Sequence, residues 1–273
     1  MSAPAIPAPR TVTLPTGTSL TITEYGDTGG RTVLALHSGA GPQTLTGFAT
    51  ALSEDAHVIV PTYPGFNGTP GQPTVATVAD LAEAYLDLLD LLDLSDVTLL
   101  GNSVGGWVAA EMALRDNHQR IGAVVLVNAC GIHAELPANR IVDTRLIDPA
   151  EIGKLSFANA AFRPDFAAMS DAQRAGAAAN QVALARYGGE HFTFDPALRA
   201  RLHRVTLPVL VIWGEQDHIT PIGYGRGYAG EFPDSRFVPI PDAGHFPQIE
   251  QLDATLAAFE DFVDSVRKPG EPR

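Results

Sequence analysis

Gly101-Asn102-Ser103-Val104-Gly105 lies between the apolar run Val97 to Leu100 and an Ala-rich helical stretch. That spacing suits a sharp strand-to-helix turn that pushes the serine side chain outward, and glycines two residues to either side let strand and helix pack that closely. A serine hydroxyl is a poor nucleophile until a base removes its proton, so Ser103 matters only if a histidine and a carboxylate can reach it. Asp217 follows the apolar run Val209 to Trp213, and His245 follows Arg236 to Ile240. Both are expected on loops at the edge of a sheet where ligands bind. His37, His57, His118, His133, His191, His203 and His218 have neither the spacing nor the company of metal ligands, so no metal is expected. Gly223, Gly225 and Gly227 follow no strand closely, which argues against a dinucleotide site and points to a loosened segment there.

The elements that must position these residues read as a mostly parallel sheet with helices on both faces, an α/β fold. Arg10 to Leu14 and Ser19 to Tyr25 alternate around Pro15-Thr16-Gly17 as an antiparallel edge hairpin would. Thr32 to Leu36, His57 to Val60, Val97 to Leu100, Ala123 to Val127, Pro208 to Trp213 and Arg236 to Ile240 are mostly apolar on both faces, as in strands covered on each side. Val78, Leu81, Ala82, Tyr85, Leu89 and Leu92 share a helical face, with Thr77 and Asp80 placed to cap its start. The helix over Ser103 to Arg115 should be the most buried, and Ile249, Leu252, Leu256, Phe259 and Val263 form the stripe of one final helix. Residues 132–195 break the strand rhythm and read as an inserted helical cap above the carboxyl ends of the strands. The sheet-bearing core would then be 11–131 with 196–267, flanked by a flexible segment 1–10 and a flexible tail 268–273.

Composition narrows the function class. The 273 residues are 45% apolar and 18% charged, with a mean hydropathy of +0.05, which describes an ordinary globular chain. Chains near this length remove roughly 75% of their unfolded surface from water, so no metal or disulfide staple is required. A formal charge of −13 argues against nucleic acid as a partner, because a phosphate backbone needs a Lys/Arg patch. Cys130 is the sole cysteine, so no intramolecular disulfide forms. The Pro/Ala-rich start lacks the pattern of a signal peptide and no stretch reaches membrane-span length, so a cytoplasmic location without membrane partners is the default expectation.

The order Ser103, Asp217, His245 is the chain order of serine hydrolases built on this turn. At these residues the chain resembles the α/β-hydrolase superfamily, from about Thr18 to Val263. The resemblance rests on His37-Ser38-Gly39-Ala40-Gly41, Tyr63-Pro64-Gly65-Phe66, the serine turn and the two loops bearing Asp217 and His245. It implies that Ser103 attacks a carbonyl carbon, His245 takes and returns the proton, and Asp217 orients the imidazole, giving an acyl-enzyme. It also implies an oxyanion hole made by the backbone N–H of Val104 and of Gly39 or Ala40, with His37 fixing that loop. Some relatives carry the acid after the earlier strand; here that position is near Asn128, which has no carboxylate.

No cofactor is implied, and the expected partner is a small-molecule substrate. Hydrolysis of a carboxylic ester is the leading reading. Asn102 and Gly39-Ala40-Gly41-Pro42 also resemble the carbon–carbon bond hydrolases of ring-cleavage products, although Phe246 and Pro247 follow the histidine where that subfamily usually has tryptophan. The third reading is a non-catalytic ligand-binding protein on the same fold. Phe246, Phe157, Phe162, Phe166, Met169 and Tyr187 are candidates for the substrate pocket, and an apolar face on the cap would permit a homodimer.

Overall fold

A computed structural model describes residues 6–165 and 167–266. Eight strands form one sheet: β1 (Arg10–Thr13), β2 (Ser19–Tyr25), β3 (Arg31–Leu36), β4 (Ala56–Thr62), β5 (Val97–Asn102), β6 (Ile121–Val127), β7 (Val209–Gly214) and β8 (Ser235–Ile240). Their spatial order is β1-β2-β4-β3-β5-β6-β7-β8. β1 and β2 pair antiparallel, as does β2 with β4, and every other neighbouring pair is parallel. The edge hairpin turns at Gly17, in the left-handed region at φ 84°. Arg10, the boundary residue given both to the N-terminal segment and to the hairpin, belongs to β1. Residues 1–5 of that segment and the whole tail 268–273 lie outside the described residues.

Among the described residues eight α-helices accompany the sheet: α1 (Thr46–Leu52), α2 (Val78–Leu91), α3 (Val104–Arg115), α4 (Pro149–Ser156), α5 (Asp171–Gly188), α6 (Ile222–Ala229), α7 (Pro247–Glu250) and α8 (Leu252–Val266). Side-chain alternation along the central strands divides the core in two. Leu99, Val124, Leu126, Val211 and Trp213 meet α2, α3 and α6 on one face, whereas Leu100, Val125, Val127, Leu210 and Ile212 meet α1 and α8 on the other. Both faces of these strands are therefore dry, which accounts for their unbroken apolar runs.

Local signals explain where the helices begin and end. Thr77 and Asp80 form the expected reciprocal box: the Thr77 hydroxyl accepts from Asp80 N–H at 3.1 Å, and Asp80 Oδ2 accepts from Thr77 N–H at 2.9 Å. α3 is buried from Val104 through Met112. Two expectations are corrected. The glycine run does not loosen its segment: α6 forms, and Gly225 lies against the Trp213 indole where a side chain would collide. The final helix is two helices, because Gln251 is non-helical at φ −134°, ψ 59°. α7 turns the buried polar residues Gln248 and Glu250 to neighbouring loops. α8 buries Thr255, Phe259, Phe262 and Val263, and each large apolar side chain so buried contributes about 1.5–3 kcal/mol.

Between β6 and β7 the chain leaves the sheet. Among the described residues this insertion holds α4, α5 and short 3-10 turns, and its β pairing is the isolated bridge between Gly131 and Phe194. α5 is mostly exposed and buries Asn180, Tyr187 and Gly188.

Candidate active site

Ser103 stands directly after β5 at φ 58°, ψ −119°. A non-glycine residue in such a region costs about 1–3 kcal/mol and is held there by its surroundings. Ser103 N–H donates to Val127 O at 3.0 Å, and Cys130 N–H donates to Ser103 O at 3.1 Å, so the turn is pinned to the end of β6. A Cβ at Gly101 would strike the backbone of Gly105, and one at Gly105 would strike the carbonyl of Leu36. The two glycines are what allow β5, α3 and β3 to converge beneath the serine.

Asp217 and His245 meet at the same sheet edge. His245 Nδ1–H donates to Asp217 Oδ2 at 2.8 Å, which leaves Nε2 free to accept a proton. Asp217 is 3% exposed, and its carboxylate has further donors: Ile219 N–H and Thr220 N–H reach Oδ1 at 2.7 and 2.9 Å. Oδ2 also accepts from Asn128 Nδ2 at 2.6 Å and from the Thr220 hydroxyl. The serine turn and the histidine loop are joined by Asn102, whose Nδ2 donates to Val127 O at 3.0 Å and to His245 O at 3.2 Å. Gln248 Nε2 donates in turn to Asn102 Oδ1 at 3.2 Å. Among the hydrogen bonds of the described residues none joins the Ser103 hydroxyl to His245, a bond that often tightens only with substrate bound.

Hydrogen bonds hold the loop after β3 at Ser38 O, at both polar backbone groups of Ala40 and at both of Gly41. His37 is fully buried and stacked on Tyr63 with ring centroids 3.7 Å apart. Its Nδ1–H donates to Ser38 O at 2.6 Å and its Nε2 accepts from Tyr63 N–H at 3.1 Å. Burial drives its pKa down to about 3, so the ring is neutral. Ala40 N–H donates to Ser38 Oγ at 3.2 Å and Gly41 N–H to Ser38 O at 3.1 Å. Gly39 N–H and Val104 N–H have no partner among the hydrogen bonds of the described residues. Of the two loop candidates for an anion donor, Gly39 is thus the one whose N–H is unspent.

The insertion touches this arrangement from above. His245 N–H donates to Ser156 O at 2.7 Å. Glu250 accepts from Gly244 N–H at 2.7 Å with one oxygen and from Asn159 N–H at 2.8 Å with the other. Phe157 stacks on Phe246, which meets His245 edge-on at 5.1 Å. Those two pocket candidates are therefore at the site. Tyr187 lies in the seam between insertion and core, its hydroxyl donating to Pro64 O at 2.8 Å and its ring against Tyr63 and Phe66. Phe162 is 41% exposed and Met169 is half-buried; no described contact brings either to Ser103. Phe166 lies outside the described residues. A cavity of about 240 Å³ at the base of the insertion, walled by Ile132, Arg140, Ile141 and Phe194, includes none of Ser103, Asp217 and His245.

Asn128, Thr220, Glu250 and Asn180 hold the site together without standing out in the sequence. Asn128 left one signal, a polar residue at the carboxyl end of a buried strand. Among the described residues there is no group of three or more His, Cys, Asp or Glu able to hold a metal, and no helix long and apolar enough to cross a membrane.

A family model described as the alpha/beta hydrolase family matches residues 33–258. The chain belongs to the α/β-hydrolase family. Its curated relatives include a 2-hydroxy-6-oxononadienedioate/2-hydroxy-6-oxononatrienedioate hydrolase from Cupriavidus pinatubonensis, 28% identical over 180 residues, 61% of this chain and 62% of that protein. The matched stretch therefore spans about three fifths of that relative's length. A pimeloyl-[acyl-carrier protein] methyl ester esterase from Aromatoleum aromaticum is 28% identical over 187 residues, 60% of this chain and 72% of that protein. Among solved structures, a thermophilic esterase from Thermogutta terrifontis superposes with a TM-score of 0.71 at 25% identity, covering 96% of this chain and 100% of that one. This α/β-hydrolase is thus similar both to a methyl ester esterase and to a dienedioate hydrolase.

Proposed function

We propose that this protein is a serine hydrolase of carboxylic esters or related acyl compounds. The observation that carries the reading is the 2.8 Å bond from His245 Nδ1–H to a buried, multiply bonded Asp217 at the edge where Ser103 is held in a strained turn. In this reaction His245 Nε2 takes the Ser103 proton as Oγ forms a bond to the carbonyl carbon. The tetrahedral oxyanion is met by the N–H groups of Val104 and Gly39. Collapse breaks the bond to the alkoxy group, which leaves as the alcohol with the proton from His245. Water then adds to the acyl-enzyme by the same route, releasing the acid and restoring Ser103. Such donors each contribute about 2.7–4 kcal/mol to lowering the barrier. The insertion serves as the cap, with Phe157 and Phe246 as apolar wall, and the natural setting is cytoplasmic.

Reaction with a fluorophosphonate tests the nucleophile: the wild type is expected to be labelled and Ser103→Ala not, while an inert wild type refutes the reading and favours a ligand-binding role. The second reading, carbon–carbon bond hydrolysis, is favoured by the similarity to the Cupriavidus dienedioate hydrolase. Phe246 in place of the tryptophan expected after the histidine counts against it. Rates on p-nitrophenyl esters of increasing acyl length, set beside a ring-cleavage dienoate, decide between them; preference for an ester is expected.

A further inference from the structure

α5 reaches the loop after β3 through two residues one turn apart. Asn180, 3% exposed on a mostly exposed helix, donates from Nδ2 to Ala40 O at 3.2 Å and to Asn67 Oδ1 at 3.0 Å. Its Oδ1 accepts from Asn67 N–H at 2.8 Å. Asn67, held in the left-handed region at φ 49°, donates from Nδ2 to Gln43 Oε1 at 3.1 Å, and Gln43 Nε2 returns to Ala40 O at 2.5 Å. The amides of Asn180, Asn67 and Gln43 thus close a ring on one carbonyl. Four residues along the helix, Leu184 covers Gly39 so closely that a Cβ there would lie 2.5 Å from Leu184 Cδ2.

A loop that must present one N–H at a fixed point gains from having its other groups bonded. Here Ala40 N–H and Gly41 N–H are bound within the loop, but the Ala40 carbonyl is bound by Asn180 of the insertion and by Gln43, whose amide Asn67 holds in turn. The donor geometry at Gly39 therefore depends on where α5 sits. We propose that Asn180 is a positioning residue that couples seating of the insertion to assembly of the oxyanion hole: the hole is complete only while Asn180 holds Ala40 O. The inference rests on the serine-hydrolase reading above. It implies that a substrate whose acyl part keeps α5 seated is turned over faster per bound molecule than one that props it open.

Two variants test it. Asn180→Asp keeps the shape and the acceptor for Asn67 N–H but puts an oxygen against Ala40 O. Asn67→Gly tolerates the left-handed backbone and, being exposed, removes the relay without touching the core. Active sites are counted with a fluorophosphonate, so that kcat is expressed per competent molecule. The coupling predicts that kcat on a p-nitrophenyl ester falls about tenfold for Asn180→Asp, and less for Asn67→Gly, with KM within about twofold. An alkyl boronic acid, whose tetrahedral Ser103 adduct places an oxygen in the hole, should lose affinity by the same factor. A merely structural role would lower the site count and leave kcat per site and boronate affinity unchanged; that result, or a rise in KM alone, overturns the coupling. A wild type that neither labels nor hydrolyses esters would instead sink the underlying functional reading.

Discussion

Asn128 illustrates how much of the site depends on a residue that would never touch substrate. It is fully buried, sits in the left-handed region at φ 44°, and spans two elements: Nδ2 donates to Asp217 Oδ2, while Oδ1 accepts from Gly214 N–H at 3.1 Å at the end of β7. It therefore fixes both the carboxylate and the start of the loop that carries it. Asn128→Gly suits the backbone and removes only the side chain, leaving Gly214 N–H buried without a partner. A loss of about 1–3 kcal/mol in unfolding free energy is expected from that orphaned donor, measured by urea denaturation. A tenfold or greater drop in kcat, on the order of a misplaced catalytic group, is expected beside it in ester assays. Unchanged kcat would mean that the backbone donors and Thr220 suffice to hold Asp217.

At the scale of elements, the short helix α7 is the hub. Glu250 ties the segment after α4 to the histidine loop through Asn159 and Gly244, and Gln248 reaches the serine turn through Asn102. Glu250→Gln keeps the volume but offers one acceptor oxygen and one amide NH2 donor where two N–H groups need acceptors. Stability should fall by about 1–3 kcal/mol, and the His245 loop should lose protection in hydrogen exchange before the sheet does; equal protection in variant and wild type would contradict this. The sequence makes the strands, the Thr77–Asp80 box and the serine turn legible because each is a local pattern of a few residues. It hides the break at Gln251, since Ile249 stays in phase with the stripe on α8. It equally hides Glu250 and Asn180, whose partners lie 91 and 140 residues away: such bonds are set by which loops the topology brings together.

For the molecule as a whole, the same legibility holds at the catalytic edge. Ser103, Asp217 and His245 each follow a recognisable strand, so the fold class alone brings them to one side, whereas the tightness of the insertion over that side depends on contacts no periodicity encodes. One consequence concerns stability against pH. His37 joins β3 to the Tyr63 loop through both ring nitrogens in its neutral form, and burial holds its folded pKa at about 3 against an ordinary value near 6.5. A base whose pKa is depressed on folding binds its proton more readily in the unfolded chain. Its contribution is fully present above about pH 6.5 and is lost progressively as pH falls toward 3, with a slope of at most about 1.4 kcal/mol per pH unit. Between pH 6.5 and 5 most carboxylates remain ionised, so relief of self-repulsion in a chain of formal charge −13 offsets little of this loss. Urea midpoints at pH 7 and pH 5 should therefore differ for the wild type and differ less for His37→Gln, whose amide can accept from Tyr63 N–H but does not titrate. Equal pH dependence in the two proteins would show that His37 takes up its proton without unfolding the loop that carries Gly39.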